Sequence, residues 1–167
     1  MAKHEQVTTI SLDPSSTATG FAIWQWGKLS CHGVIKPPRK DEADERIRKM
    51  VEFVEDLIAT YNVSQAVFEE PQKIDPGGYK KNLWIYKKAV QNISSHLVTL
   101  LGEGNVYPVG PQMWKGSSKK KHTLREVNLI YGLELTDDNE ADAIKIGEWF
   151  LQRQRFNPIP PICGTIK

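Results

Sequence analysis

The chain is poor in everything that staples or anchors a protein. It has two cysteines in 167 residues, Cys31 and Cys163, far apart and outside any CxxC, so their spacing encodes neither a zinc site nor a disulfide framework. A reducing, cytoplasmic setting is the expectation. No apolar run approaches the roughly 18 residues of a membrane span, and residues 1–6 are polar rather than signal-like, so a soluble, unexported protein with no membrane partner is expected. Net charge is nearly absent too: 22 Lys and Arg against 20 Asp and Glu leave +2, which by itself points to no partner. There is no internal repeat and no low-complexity tract, which excludes solenoids and disordered tails. What remains, 40% hydrophobic and 25% charged, suits one domain over residues 1–156 and a Pro-rich tail over 157–167.

The charge that is present is segregated. Lys115, Lys119, Lys120, Lys121 and Arg125 fall close together, and Glu134, Asp137, Asp138, Glu140 and Asp142 follow them.

Branched residues at 7–12 predict a strand that Asp13-Pro14-Ser15-Ser16 stops with turn chemistry. Residues 20–26 and 29–36 predict two more strands joined at Gly27-Lys28 as a hairpin. Over 41–61, Ile47, Met50, Val51, Val54, Leu57, Ile58 and Tyr61 recur at helical spacing with acids in the first turn. A short strand at 65–69 runs into Glu69 and Glu70 before Pro71. A helix striped by Tyr86, Val90, Ile93, Leu97 and Leu101 follows, then a strand at 106–109, a long basic connection, a short helix at 124–131 and a last helix that begins after Thr136 and runs to about Gln154. This order predicts an α/β fold, a mixed five-stranded sheet flanked by helices.

Three of these segments carry acids. Asp13 ends the first strand and Glu69 or Glu70 the fourth, and strand ends are where distant segments converge in such sheets. Asp142 can join them from the last helix, where Asp138 and Asn139 precede it by four and three residues and share its face. Carboxylates gathered this way repel unless cations neutralise them, and an all-oxygen set suits Mg²⁺ or Mn²⁺ rather than zinc. Two such ions about 4 Å apart activate water and stabilise the departing oxygen of a phosphodiester. That is nuclease chemistry.

Ile10-Ser-Leu-Asp13-Pro-Ser-Ser-Thr-Ala-Thr-Gly20-Phe-Ala-Ile, Ala66-Val-Phe-Glu69 and Asn139-Glu-Ala-Asp142-Ala-Ile resemble the three active-site motifs of the RuvC family of Holliday junction resolvases, in the RNase H-like superfamily. The small, divergent form looks most like phage-encoded members, and the resemblance covers about residues 7–149, including Pro111-Gln-Met-Trp-Lys115. It implies an RNase H-like fold and a Mg²⁺-dependent endodeoxyribonuclease that resolves four-way junctions or related branched DNA, with a part in recombination and repair. It implies that Asp13, Glu69 and Asp142 are metal ligands, that Asn139 stands where the family usually has another aspartate, and that Lys115 and Lys121 match functional lysines. Either Asp138 or Glu70 then supplies the missing charge, or one metal is held more weakly. Glu70 faces the other way from Glu69 on a regular strand. A homodimer is implied as well, since a junction has two strands of like polarity to nick.

Phosphate contacts are expected from Lys115, Lys119, Lys120, Lys121 and Arg125. A second surface is expected from Lys73, Lys80, Lys81, Lys87 and Lys88, interleaved with Tyr79, Trp84 and Tyr86. Trp114, Trp149 and Tyr86 read first as core or dimer contacts, and His122 is the one histidine near the acids in sequence. Three rivals stand beside the nuclease: a catalytically weak branched-DNA-binding module, an RNase H-like ribonuclease, and an actin-like phosphate-handling domain. The last needs two such domains, and the length provides one.

Overall fold

The computed structural model describes residues 6–71, 83–116 and 120–162, apart from the side chains of Lys120 and Lys121. The described residues hold five strands, β1 (Thr8–Pro14), β2 (Thr19–Gln25), β3 (Lys28–Ile35), β4 (Gln65–Glu69) and β5 (Val106–Val109), five α-helices, α1 (Ala43–Tyr61), α2 (Leu83–Leu101), α3 (Pro111–Lys115), α4 (Lys120–Tyr131) and α5 (Asp138–Phe156), and one 3₁₀ turn at Glu103–Asn105. The strands form one sheet in the order β3-β2-β1-β4-β5, antiparallel across the first three and parallel across the last three. The mixed α/β architecture expected from the sequence is the one observed.

The alternation of side chains along β1 and β4 creates two faces. Ile10, Leu12, Ala66 and Phe68 turn to one, where the apolar stripes of α1 and α2 cover them in the main core. Val67 turns to the other and packs with Val109, Trp114, Ile146 and Phe150 from β5, α3 and α5. Ala22 and Trp24 of β2 meet Val127, Ala141 and Ile144 on that same side.

On this second face α5 lies unusually close to the sheet. Ser11 donates to the Ala143 carbonyl at 2.7 Å and accepts from the Trp24 indole at 3.0 Å, so its hydroxyl joins β1, β2 and α5. Two glycines permit the approach. A Cβ on Gly147 would stand 2.0 Å from Trp24 Nε1, and one on Gly20 would stand 1.9 Å from the Asn139 carbonyl oxygen. Asn139 therefore sits over the β2 residue paired with Asp13, Ala143 over Ser11, and Gly147 beside Trp24.

Several boundaries differ from the sequence reading. The hairpin turn is Trp26-Gly27, both with positive φ, rather than Gly27-Lys28. Residues 111–115, expected as part of an irregular connection, form α3, with Pro111 at its first position, where a missing N–H costs nothing. α4 begins at Lys120, four residues before the expected 124. The described part of the tail is docked: Ile159 is buried with the α5 cluster and the Ile162 N–H donates to the Val106 carbonyl at 2.7 Å, covering the β5 edge. None of the described helices is long and apolar enough to cross a membrane.

Candidate metal centre and active site

The site is built at the C-terminal ends of two parallel strands. Leu12 pairs with Phe68 in the β1–β4 register, so Asp13 and Glu69 are the next residues along, side by side. Both continue the α5 face: Asp13 follows Ser11 by two positions and Glu69 follows Val67 by two. Asp13 is buried, 7% exposed, and Glu69 is half-buried.

Asp142 approaches from above on α5 and is 6% exposed. It shares a helix face with Ile146 and Phe150, at four-residue spacing, and both of these pack with Val67 and Trp114. The same packing that seats α5 therefore aims Asp142 toward β4. Asn139, one turn earlier, is half-buried with its backbone against Gly20. Asp138, the first residue of α5, is exposed.

The short helix α3 stands between the acids of β4 and α5. The Trp114 indole donates to Glu69 Oε2 at 2.7 Å. Lys115 Nζ lies 3.6 Å from Asp142 Oδ2 and 5.1 Å from the centre of the Trp114 ring. Two successive residues thus touch acids that are 73 positions apart in the sequence.

Tyr86 of α2 feels the same acids from the opposite layer. Its phenol is pushed well above the ordinary range, first by burial and then by the negative charges of Glu69, Asp13 and Glu70, so it remains a neutral hydroxyl. Glu70 lies beyond the strand end. Its N–H donates to the Val109 carbonyl, and it lines a groove with Phe68, Lys87 and Gln91 on the α2 side.

The first turn of α5 is fixed by one link to β3 and one to Lys36, the residue that follows it. Asp137 caps the helix, accepting from the N–H groups of Asn139 at 2.9 Å and Glu140 at 3.2 Å, and pairs with Lys36. Glu140 points away from the acids and meets His32 Nδ1 at 2.6 Å. Burial acts to raise the Asp137 pKa, but Lys36 and the two N–H donors together outweigh it and leave the carboxyl below its ordinary value of 3.8. A depressed native pKa contributes stability that is complete above the unfolded value and is lost as pH falls through the native one. Replacing Asp137 with alanine is expected to cost about 1 kcal/mol in urea unfolding at pH 7, the usual loss for an N-cap, and to cost less at a pH below the native pKa, where the charge is gone and only the neutral oxygen still accepts. Equal losses at both pH values would rule out the carboxylate's charge as a contributor.

Of the expected basic contacts, Lys115 is at the acids, Arg125 is exposed on α4, and Lys120 and Lys121 open that helix. His122 is exposed beside them. Lys80, Lys81 and Lys119, with Lys73 and Tyr79, lie outside the described residues. In the expected second surface, Trp84 is 63% exposed and Lys87 is exposed. Lys88 is paired with Asp44 of α1 at 2.6 Å, and Tyr86 packs against the main core.

The donor set fits a hard divalent cation: it is oxygen-only, and its carboxylates come from three elements that the core holds in register. No preassembled group of three His, Cys, Asp or Glu side chains able to hold an ion is found among the described residues. Asp142 faces Lys115, and Glu69 faces Trp114. Sequence reasoning missed three participants: Gly20, which admits α5; Trp114, read only as a packing residue; and Tyr86 as a neighbour of the acids. The clue in the sequence was the placement of Trp114 directly before Lys115.

No protein-family model and no curated protein matches the chain. Solved structures do. Thermus thermophilus RuvC, in its structure with Holliday junction substrate, superposes with a TM-score of 0.72 at 19% identity over 93% of this chain and 99% of that one. The yeast mitochondrial Holliday junction resolvase gives 0.60 at 13% identity, over 90% of this chain and 80% of that one. Fowlpox virus resolvase, solved with its substrate Holliday junction DNA, gives 0.57 at 15% identity, over 86% and 98%. The chain has the fold these three share.

Proposed function

We propose that the protein is a Mg²⁺-dependent, structure-selective endodeoxyribonuclease that hydrolyses phosphodiesters in Holliday junctions or related branched DNA, leaving 5′-phosphate and 3′-hydroxyl ends. The observation that supports this reading is the placement of Asp13 and Glu69 at adjoining ends of β1 and β4, with α3 reaching Glu69 through Trp114 and Asp142 of α5 through Lys115. Branched DNA as the substrate is supported by the junction complexes of two proteins with the same fold.

Asp13, Glu69 and Asp142 would hold the cations, and Asn139 or Asp138 would orient water beside them. Bound Mg²⁺, or Mn²⁺ in its place, supplies a water nucleophile at neutral pH and charge stabilisation for the leaving oxygen. The chain's own part is to fix these oxygens on rigid elements and to supply positive charge. Lys115, already at the acids and 18% exposed, is within reach to offset charge on a phosphate entering the site. Lys120, Lys121 and Arg125, on the helix that follows, would neutralise the flanking backbone, with Lys80, Lys81 and Lys119 as further contacts. Two copies acting on the two like-polarity strands would make the symmetric nicks.

The deciding experiment presents four-way junction, linear duplex and RNA/DNA hybrid at equal concentration, with and without Mg²⁺. Nicking of the junction alone, and only with Mg²⁺, is the expected result. Preferential cutting of the hybrid would move the protein to the ribonucleases. Tight junction binding with no product would make it a binding module, the reading that Asn139 in place of an acid favours.

A further inference from the structure

We infer that Trp114 is a positioning residue for Glu69, an inference that rests on the proposed metal-dependent reading of the site. A buried indole needs an acceptor, because Nε1–H can only donate. Trp114 is 6% exposed, and a backbone carbonyl would serve as well as any side chain if packing were its whole role. Its partner is instead Oε2 of Glu69.

The hydrogen bond constrains a side chain with three rotatable bonds at the last residue of β4. A neutral donor on Oε2 orients the carboxylate without cancelling its negative charge. This is how outer partners orient metal ligands.

The ring is itself tightly placed. Trp114 packs with Val67, two residues before Glu69, and with Ile146, one turn beyond Asp142. Lys115, the next residue, reaches Asp142. A single five-residue helix therefore sets the spacing between the carboxylates of β4 and α5, and the indole ties that spacing to the core.

The test compares wild type with Trp114→Phe, Glu69→Gln and the double variant, measuring Mn²⁺ binding without DNA by the electron paramagnetic resonance of free Mn²⁺. Trp114→Phe is expected to weaken Mn²⁺ binding about tenfold, the lower end for loss of an outer partner. It should raise the Mg²⁺ concentration for half-maximal junction cleavage by a similar factor, with most of the rate recovered at saturation. In the Glu69→Gln background the same change should have no further effect on Mn²⁺ binding. Wild-type affinity in Trp114→Phe or an additive loss in the double variant would each overturn the inference. If Glu69→Gln itself bound Mn²⁺ like wild type while Trp114→Phe did not, the metal reading of Glu69 would fall, and this inference with it.

Discussion

Replacing Asp13 with asparagine is expected to reduce junction cleavage at least about a thousandfold, a loss of about 4 kcal/mol of transition-state stabilisation, while the protein folds and still binds junction DNA. The side chain is buried at the end of β1, next to Glu69 in the parallel register and opposite Gly20 in the antiparallel one. Asparagine occupies the same volume, so the packing of three elements is preserved. It keeps one oxygen and loses the charge, and charge is what a hard cation demands of its ligands. In the proposed reading, affinity for DNA would rest on phosphate contacts made by basic residues elsewhere, so junction binding in metal-free buffer should stay within about twofold. Gel shift and single-turnover cleavage on one preparation check both halves. A pure Asp13→Asn protein that cuts at the wild-type rate would falsify the assignment of the site. Asp142→Asn should behave like Asp13→Asn, whereas Asp138, exposed at the start of α5, should tolerate the same change far better.

Gly20→Ala is expected to cost about 3 kcal/mol of stability, the upper part of the range for an overpacked core, and to slow cleavage about a hundredfold per folded molecule. The added methyl would meet the Asn139 carbonyl oxygen at 1.9 Å, its carbon at 2.3 Å and the Glu140 nitrogen at 2.8 Å. All three are backbone atoms, so no rotamer change relieves the clash. The first turn of α5 must lift from the sheet, against the grip of Lys36 on Asp137 and His32 on Glu140. Asp142 lies on that same part of the helix and moves with it. Urea unfolding reads the first effect, and single-turnover cleavage scaled to the folded fraction reads the second. Gly104→Ala is the control: a Cβ there meets nothing within 4 Å, and it should change stability by less than about 0.5 kcal/mol. A Gly20→Ala protein as stable as this control would mean that α5 does not approach the sheet as described.

The local pattern made most of the architecture legible. Of the stripe Ile47, Met50, Val51, Val54, Leu57, Ile58 and Tyr61, the first six are the buried face of α1 and Tyr61 is half-buried at its end, because helical periodicity and burial are one property seen twice. The strands at 65–69 and 106–109 were readable from short apolar runs, although β4 is only five residues long. The helix at 111–115 was not, because Gly110 and Pro111 read as loop punctuation and five residues are too few to show a period. Trp26 at the hairpin tip was not either, since positive φ is rare for a bulky aromatic and the sequence pointed to the next residue.

Sequence alone determined which acids could matter: Asp13 and Glu69 close apolar strands, and Asp142 sits among alanines in a helix. It pointed to a chemistry for them, because oxygen ligands in three separated segments would suit few partners besides hard cations. Only the tertiary structure decided how the elements that carry them approach one another. The approach of α5 depends on the absence of side chains at Gly20 and Gly147, and the hold on Glu69 on an indole 45 positions away. Both are contacts between elements distant in the chain, and such contacts leave no periodicity in the sequence because they are set by the space between packed layers.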